Sequence, residues 1–184
     1  MHLDCGCCTV RSWRASDLGS LVRHANNFNI WIKMTDRIPH PYTVADGEQW
    51  LEQNRQTQPE THFAIECDGE AVGGIGFDIG NDIARCSAQI GYWLGEALWG
   101  RGLATAALKG VTHYAVETFG LARVFALAFA GNTASRRVLV KAGYSLEGTL
   151  KHSAIKNGET LDQAVYAFVP LQSHSLRAKN SVAQ

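Results

Sequence analysis

The order of the elements predicted along this chain favours an α+β fold with a mixed central sheet. Helices come early, an antiparallel meander follows, and the second half alternates strand, helix, strand, helix and strand. Two local signals support this order: an Asp68-Gly69 pair typical of a hairpin, and a glycine-rich turn at 99–106 that leads from a strand into a helix. These observations place the chain in the α+β class.

The first third of the chain predicts one extended segment and two helices. Residues 9–13 form a short extended segment, and a helix capped near Ser16 follows, whose apolar face consists of Leu18, Leu21, Val22 and Ala25. After an irregular, proline-containing stretch, Thr43 begins a second helix, with Asp46 three residues later in the capping-box arrangement. We expect the apolar face of the first helix to lie in the core.

The middle of the chain predicts the meander and the later part predicts the alternating unit. Residues 62–67 and 71–79 are strands joined at Asp68-Gly69, and residues 84–94 form the next strand. The remaining predicted elements are a long helix from Leu103, a strand at 123–129, a helix from Asn132, and strands at 144–155 and 160–169 around Asn157-Gly158. Residues 1–172 are predicted to form a single domain, followed by a loose tail at 173–184.

Bulk composition narrows the class of protein. A chain of 184 residues that is 46% hydrophobic suits one domain with a sizeable core. Because the formal net charge is zero, a large cationic face for nucleic acid is not expected. No apolar run approaches the roughly 18 residues that a membrane span requires, and the N-terminus lacks a signal-peptide pattern. We therefore expect a cytoplasmic protein with no membrane or nucleic-acid partner, either a monomer or a homodimer.

The cysteines and histidines do not predict a metal site. Five cysteines, an odd number, suit reduced thiols better than a disulfide framework. The Cys5-x-Cys7-Cys8 run, with His2 nearby, has no standard zinc spacing and no second pair. No histidine has a metal-ligand partner at suitable spacing. We expect no bound metal.

The glycine-rich turn at 99–106 is the strongest functional signal in the chain. Gly100 and Gly102 allow a tight turn, so that backbone N–H groups and the positive end of the next helix can face an anion, and Arg101 adds a charge. The turn lacks the Gly-Lys-Ser/Thr ending of a nucleotide-triphosphate loop, and the acidic partner of a dinucleotide fingerprint is replaced by Ala122. The turn therefore predicts a phosphate cradle of another kind.

A second segment, Asn132 to Tyr144, predicts a capped helix that ends at Gly143 and is followed by a strand. With the turn, it resembles the GNAT superfamily of acyl-CoA-dependent N-acetyltransferases. The turn matches the pyrophosphate loop of that superfamily, Gln/Arg-x-x-Gly-x-Gly/Ala, with Trp99 in place of Gln/Arg, a variant associated with the Rim-type branch that acetylates N-termini of ribosomal proteins. The resemblance extends over residues 9 to 170 and includes Pro41-Tyr42-Thr43 and Glu147-Gly148.

This resemblance implies a fold and a cofactor site. GNAT folds have a mixed, mostly antiparallel sheet flanked by about four helices. Two central strands, here 84–94 and 123–129, splay apart where one carries a bulge, and the pantetheine arm of acetyl-CoA lies in the cleft. The residues implied to contact acetyl-CoA are Tyr92, Trp93, Leu94, Trp99, Gly100, Arg101, Gly102, Leu103, Ala104, Thr105, Asn132, Ser135 and Arg137.

The chemistry requires a hydrogen-bond donor to the thioester oxygen and a proton donor to the departing sulfur. The resemblance places the first on the backbone N–H near Leu94. Many relatives use a tyrosine as the second, but Leu139 occupies that position, so Ser135 is our leading donor, with an ordinary helix-start serine as the alternative. Asn132 is expected to cap its helix and also to hold the pantetheine arm. Tyr144 is a fallback acid, for which packing in the core is favoured.

The acceptor amine must also lose a proton. An α-amino group has a pKa of about 7.7–8.0, against about 10.4 for lysine, so an N-terminal amine needs no strong base at neutral pH. Glu147 is the carboxylate we would test as base or amine anchor, with a strand-end charge as the alternative. Trp31, His40 and Tyr42 are implied to line the acceptor site.

The sequence therefore predicts an enzyme that transfers an acetyl group from acetyl-CoA to a primary amine by direct attack in a ternary complex, and a protein or peptide N-terminus is the favoured acceptor. Acetylation of a small amine such as a polyamine, an amino acid or an aminoglycoside is the enzymatic alternative. An acyl-CoA-sensing module without transfer activity is the non-enzymatic one, suggested by Leu139 and by the unassigned base.

Overall fold

The computed structural model describes residues 1–171, which contain one eight-stranded sheet and five α-helices. The strands are β1 (His2–Asp4), β2 (Thr9–Arg11), β3 (His62–Cys67), β4 (Glu70–Ile79), β5 (Ser87–Leu94), β6 (Arg123–Phe129), β7 (Ser145–Lys156) and β8 (Glu159–Phe168). The helices are α1 (Leu18–Ala25), α2 (Phe28–Trp31), α3 (Val44–Gln56), α4 (Leu103–Phe119) and α5 (Thr133–Lys141). The predicted tail at 173–184 lies outside the described residues.

The strand order across the sheet is β1-β2-β3-β4-β5-β6-β8-β7. The β5–β6 pair is parallel, and the other six neighbouring pairs are antiparallel. This confirms the predicted α+β class with a mixed, mostly antiparallel sheet. The single domain predicted for residues 1–172 stays a prediction, although one sheet includes strands from β1 to β8. None of the helices within residues 1–171 is both long and apolar enough to span a membrane.

Two elements were not expected from the sequence. The helix α2 is a single turn, started by Asn27, whose side chain accepts a hydrogen bond from the Ile30 N–H at 3.2 Å. The strand β1 pairs with β2 across the tight turn that contains Gly6. Both elements are too short to produce a periodic pattern. With the single turn of α2 counted, the described residues form five α-helices where about four were expected.

Local capping agrees with the sequence at α3 and refines it at α1. In α3 the Thr43 hydroxyl accepts from the Asp46 N–H at 3.3 Å, and the Asp46 carboxylate accepts from the Thr43 N–H at 2.7 Å. The N-cap of α1 lies one residue after the predicted Ser16, because Ser16 belongs to a 3-10 turn and Asp17 takes the N-cap position. The buried Asp17 carboxylate is held by the Arg11 guanidinium, so an ion pair fixes this helix start.

The largest helix, α4, packs against the sheet and carries much of the core. Its buried face consists of Leu103, Ala107, Leu108, Val111, Thr112 and Ala115. Gly110 lies against the N-terminal hairpin, where an added Cβ would come within 2.8 Å of Cys5 Sγ and of Leu3 Cδ2. A smaller cluster, built around Leu21, Ala25 and Tyr42, also includes Trp13 and Trp93.

Candidate functional site

The strands β5 and β6 pair only at their first residues. Residues 87–89 are matched with 123–125, and the remaining residues of the two strands do not pair with one another; we call the region between them the strand gap. This confirms the expected splayed pair. The bulge expected in one of the two strands is wrong, because the register of β5 against β4 and that of β6 against β8 are both continuous.

The backbone of β5 directs hydrogen-bonding groups into the strand gap. The Gly95 N–H donates to the Val72 carbonyl of β4 at 2.8 Å, so this residue faces β4. Because neighbouring residues of a strand point their N–H and C=O groups to opposite edges, Ile90, Tyr92 and Leu94 face away from β4 and toward the gap. The Leu94 N–H, the expected donor to a thioester oxygen, therefore points to the gap side of β5.

The facing edge of β6 follows the same alternation. The Ala130 N–H donates to the Asp162 carbonyl at 2.8 Å, so the even-numbered residues face β8 and Leu127 and Phe129 face the strand gap. Two strand edges with backbone groups directed at one another fit an extended, amide-bearing chain that completes the sheet. The pantetheine arm of a coenzyme A thioester is such a chain.

The glycine-rich turn connects the end of β5 to α4 in the predicted conformation. Gly100 has φ of 78° and Gly102 has φ of 87°, values in the left-handed region that favours glycine. Gly102 is the N-cap of α4, and no side chain caps the N–H groups of the first turn. These donors, the positive end of a 17-residue helix and the exposed Arg101 fit the diphosphate of coenzyme A. Ala104 and Thr105 lie partly buried in that first turn, while Leu103 is in the core.

Trp99 ties the turn to the end of β5. Its indole N–H donates to the Leu94 carbonyl at 2.7 Å, and the Lys33 ammonium lies 4.4 Å from the centroid of its ring. The residue that departs from the Gln/Arg of the family loop thus fixes the peptide unit that follows the gap-facing Leu94 N–H. No spacing in the sequence indicates this contact.

Tyr92 and Ser135 form a hydroxyl pair beside the strand gap. The two oxygens are 2.9 Å apart, and the Tyr92 O–H also lies 3.1 Å from the Ser135 carbonyl oxygen. Burial, opposed in part by the bond to Ser135, raises the pKa of Tyr92 to about 12, so the phenol stays protonated at neutral pH. Asn132 caps α5 by accepting from the Ser135 N–H at 3.2 Å. The sequence singled out all three residues but gave no sign that Tyr92 and Ser135 meet.

Two other residues proposed from the sequence, and the leucine that replaces the tyrosine of many relatives, lie away from the hydroxyl pair or in the core. Tyr144 is 3% exposed and its hydroxyl is 2.6 Å from the Thr112 hydroxyl, which matches the favoured packing role. Leu139 is fully buried. Glu147 lies on the edge strand β7, with β6 and β8 between it and β5, and pairs with Arg123. The structure therefore does not bring Glu147 to the strand gap.

The residues expected to line the acceptor site divide into two groups. Trp31 and His40 stack with ring centroids 5.5 Å apart, and Phe28 packs against both rings. Tyr42 is 6% exposed and belongs to the cluster around Leu21, where burial raises its pKa to about 12. Trp93 packs in that same cluster. Only Trp31 and His40 therefore share an aromatic group.

A cavity of about 450 Å³ lies between α2, the end of β6 and the β7–β8 hairpin; we call it the hairpin cavity. Residues of all three parts line it, among them Phe28, Lys33, Phe129, Asn132, Lys156 and Leu161. Because Phe129 borders the strand gap and Asn132 caps the helix that carries Ser135, the cavity adjoins the predicted reaction centre. Arg137 lies elsewhere, in a basic groove on α5 with Arg136 and Lys141.

Glu96 is a charged residue near this centre that the sequence did not single out. It follows β5 by two positions, and its carboxylate accepts from the side-chain amides of Asn27 at 2.8 Å and Asn29 at 2.9 Å. These two bonds lower the pKa of Glu96. Among residues 1–171, no group of three or more His, Cys, Asp or Glu side chains is arranged to hold a metal ion.

A strand gap edged with backbone amides, next to an uncapped helix N-terminus, defines the class of protein: an acyl-CoA-dependent acetyltransferase. Residues 8–145 match the family described as the acetyltransferase (GNAT) domain. The chain therefore belongs to the GNAT acetyltransferase family.

Individual relatives differ in the acceptors that their names state. The N-acetyltransferase YoaA of Bacillus subtilis is 31% identical over 75% of this chain and 71% of its own length. In Escherichia coli, a ribosomal-protein-serine acetyltransferase is 31% identical over 57% of this chain and 58% of its own. A spermidine N(1)-acetyltransferase of the same organism is 30% identical over 55% of this chain and 54% of its own. The chain thus spans just over half the length of the last two.

A solved structure agrees with the fold and the cofactor. RimJ of Mycobacterium smegmatis, in complex with a CoA disulfide, superposes with a TM-score of 0.76 at 27% identity, covering 92% of this chain and 86% of its own. The ribosomal-protein acetyltransferases among the relatives agree with the Rim-type resemblance.

Proposed function

We propose that this acetyltransferase modifies the N-terminal amine of a protein or peptide, by direct attack of the amine in a ternary complex with acetyl-CoA. The observation that most supports the proposal is that β5 carries both the gap-facing Leu94 N–H and, two residues earlier, the Tyr92 of the Tyr92–Ser135 hydroxyl pair. The name of the ribosomal-protein-serine relative supports a protein acceptor. The five free cysteines support a cytoplasmic enzyme.

Bound acetyl-CoA supplies an activated acetyl thioester. The N–H groups at the start of α4 and Arg101 would bind its diphosphate, and the facing edges of β5 and β6 would bind its pantetheine amides. The Leu94 N–H donates to the carbonyl oxygen as negative charge develops there. Ser135, supported by Tyr92, would donate a hydrogen bond to the departing sulfur, and the proton that the attacking amine releases would pass to that thiolate or to solvent.

The residues around the site also bear on how the amine loses its proton. An α-amine with a pKa of about 7.7–8.0 is partly neutral at pH 7.5, whereas a lysine side chain near 10.4 is almost fully charged. Glu147 lies on the edge strand and is paired with Arg123, so it is not placed to act as a base at the strand gap. An α-amine acceptor, which is partly neutral already, does not need one. This supports an N-terminal amine over an internal lysine.

A small amine is the second candidate, favoured by the 30% identity to a spermidine acetyltransferase. Mass spectrometry of a mixed panel separates the two: peptides with different N-termini, peptides with a blocked N-terminus and an internal lysine, polyamines, amino acids and aminoglycosides. We expect a mass gain of one acetyl group on free N-termini and none on blocked peptides. A gain only on a small amine would refute the proposal, and no gain on any amine would favour an acyl-CoA-sensing role.

A further inference from the structure

Lys156, at the end of β7, is a buried cation in the wall of the hairpin cavity. Its side chain is 1% exposed, and its ammonium donates to Asp36 Oδ1 at 2.7 Å. The same ammonium lies 4.0 Å from the centroid of the Trp31 ring, and Trp31 in turn stacks on His40. Lys156 therefore lies in an aromatic wall with one carboxylate partner.

Asp36, the carboxylate partner of Lys156, is exposed to solvent although the ammonium is buried. The Asp36 side chain is 77% exposed, whereas burial of an ammonium ion is unfavourable unless the ion is well paired. An ammonium group has three N–H donors, and among the described residues Asp36 accepts one of them. An exposed carboxylate on a loop is readily exchanged for another carboxylate, because the water around it replaces its lost bond.

Lys156 differs from the other charged residues that line the hairpin cavity, because it is buried whereas they are exposed or paired outside the cavity wall. Asp162 accepts from Lys151 at 2.8 Å and from the His152 N–H at 2.8 Å, and these contacts lower its pKa. Glu159 lies exposed at the hairpin turn. Lys33, a second cation of the cavity wall, stays exposed over Trp99. Since the Lys156 side chain is 1% exposed, an anion in the cavity reaches its ammonium by displacing Asp36, and in such a water-poor place a charge-assisted hydrogen bond is strong.

We propose that Lys156 binds a carboxylate of the amine acceptor, so that this enzyme prefers acceptors with a carboxylate close to the reacting amine. Asp36 occupies the same ammonium in the absence of acceptor and is displaced when acceptor binds. This inference rests on the proposed function, because the hairpin cavity adjoins Asn132 and the strand gap. The carboxylate belongs either to an acidic side chain near a peptide N-terminus or to a free amino acid.

The test compares acceptors with and without a carboxylate. Because the carboxylate of free alanine also raises the pKa of its own amine, kcat/KM in the alanine pair is compared per neutral amine. Acetylation is measured at saturating acetyl-CoA with the peptide amides Ser-Glu-Ala-Ala and Ser-Gln-Ala-Ala, and with alanine and alaninamide. In the wild type we expect kcat/KM for the carboxylate member of one pair to exceed that of its amide by about tenfold, mainly through KM. A preference for the glutamate peptide identifies the acceptor as a peptide with an acidic N-terminal sequence. A preference for alanine alone identifies the acceptor as a free amino acid and refutes the peptide acceptor.

Variants separate an anion site from a structural contact between the loop and the hairpin. Lys156→Met should lower kcat/KM for the preferred carboxylate acceptor about tenfold more than for its amide partner, and Lys156→Arg should restore most of the preference. Asp36→Asn should lower KM for the carboxylate acceptor, because the competing carboxylate is gone. If both Lys156→Met and Asp36→Asn weaken the two members of a pair equally, or if the wild type prefers the amides, the proposal is overturned.

A failure of the proposed function would look different. If none of the four acceptors is acetylated, binding of Ser-Glu-Ala-Ala amide and of alanine to the acetyl-CoA-saturated protein is measured by calorimetry in the wild type and in Lys156→Met. Binding that needs Lys156 would support the carboxylate site without transfer. Equal or absent binding in both proteins would overturn it.

Discussion

Replacing Ser135 by alanine tests the hydrogen-bond donor to the departing sulfur. The Tyr92 and Ser135 hydroxyls carry one proton each, and one of these two protons forms the hydrogen bond between the oxygens. The other O–H can therefore donate to a further atom. In Ser135→Ala the Tyr92 hydroxyl keeps its contact to the carbonyl oxygen of residue 135, at 3.1 Å. We therefore expect Tyr92 to replace the serine only in part.

The size of the loss follows from the leaving group. A thiol has a pKa of about 8.5, so a thiolate leaves readily and needs stabilisation more than full protonation. A hydrogen bond to a charged group contributes about 1.5–3 kcal/mol, which corresponds to about 10- to 150-fold. We expect kcat to fall by this factor in Ser135→Ala, while the acetyl-CoA Kd changes less than about threefold, because the Asn132 cap to the backbone N–H of residue 135 remains.

The assay follows release of free thiol from coenzyme A at saturating acceptor, with acetyl-CoA affinity measured by calorimetry. Ser145→Ala, at an exposed serine at the start of β7, is the matched control and should behave as the wild type. Since the pKa of Tyr92 is raised to about 12, its ionisation contributes nothing below pH 9, and kcat/KM should rise with pH through the pKa of the acceptor amine. Turnover of Ser135→Ala within twofold of the wild type would refute the assignment. A large loss in Tyr92→Phe alone would transfer the role to tyrosine.

Three further predictions concern the loop, the cofactor and the core. Gly102→Asp should weaken acetyl-CoA binding at least about tenfold by calorimetry, because a side chain is strained at a φ of 87° and a negative charge at the α4 N-terminus repels the diphosphate. Gly19→Asp, at an exposed glycine of α1, should leave the binding unchanged. Trp99→Phe removes the 2.7 Å indole hydrogen bond and should lower kcat about three- to tenfold, while Kd for acetyl-CoA stays within twofold. Tyr144→Phe should cost about 1 kcal/mol, because the Thr112 hydroxyl keeps its 2.6 Å bond to a backbone carbonyl, and should lower Tm by about 2–4 °C with unchanged kcat. An unchanged Kd in Gly102→Asp, an unchanged kcat in Trp99→Phe, or a loss of kcat in folded Tyr144→Phe would contradict them.

Elements with local signals were predictable from the sequence. The meander, the long α4 and the α5 helix follow from hydrophobic period and turn residues, and the Thr43–Asp46 capping box is present as expected. The single turn of α2 depends on one cap at Asn27, and β1 depends on pairing with β2, so neither gives a periodic pattern. The length of an element, rather than its residue types, therefore decided whether the sequence could predict it.

Contacts between distant residues were out of reach for a different reason. Tyr92 and Ser135 are 43 residues apart and lie on a strand and a helix whose approach is set by sheet order. Glu147 follows the α5 helix closely in sequence, but its strand continues to the far edge of the sheet, beyond β8. Spacing along one element predicts which residues share a face, whereas the order of strands across a sheet decides which elements meet.

The end of β5 is held from several sides, and this bears on how the Leu94 N–H could act. The Leu94 carbonyl accepts from Trp99, the next residue, Gly95, donates to β4, and Glu96 binds the side chains of Asn27 and Asn29. Each contact fixes a group other than the N–H that points to the strand gap. An amide that is fixed in direction but not paired within the sheet can donate to a developing oxyanion without reorganising first, which is the condition under which such donors contribute most. Trp99 also belongs to the loop that begins the diphosphate site, so the same indole connects that loop to the peptide unit that follows the Leu94 N–H.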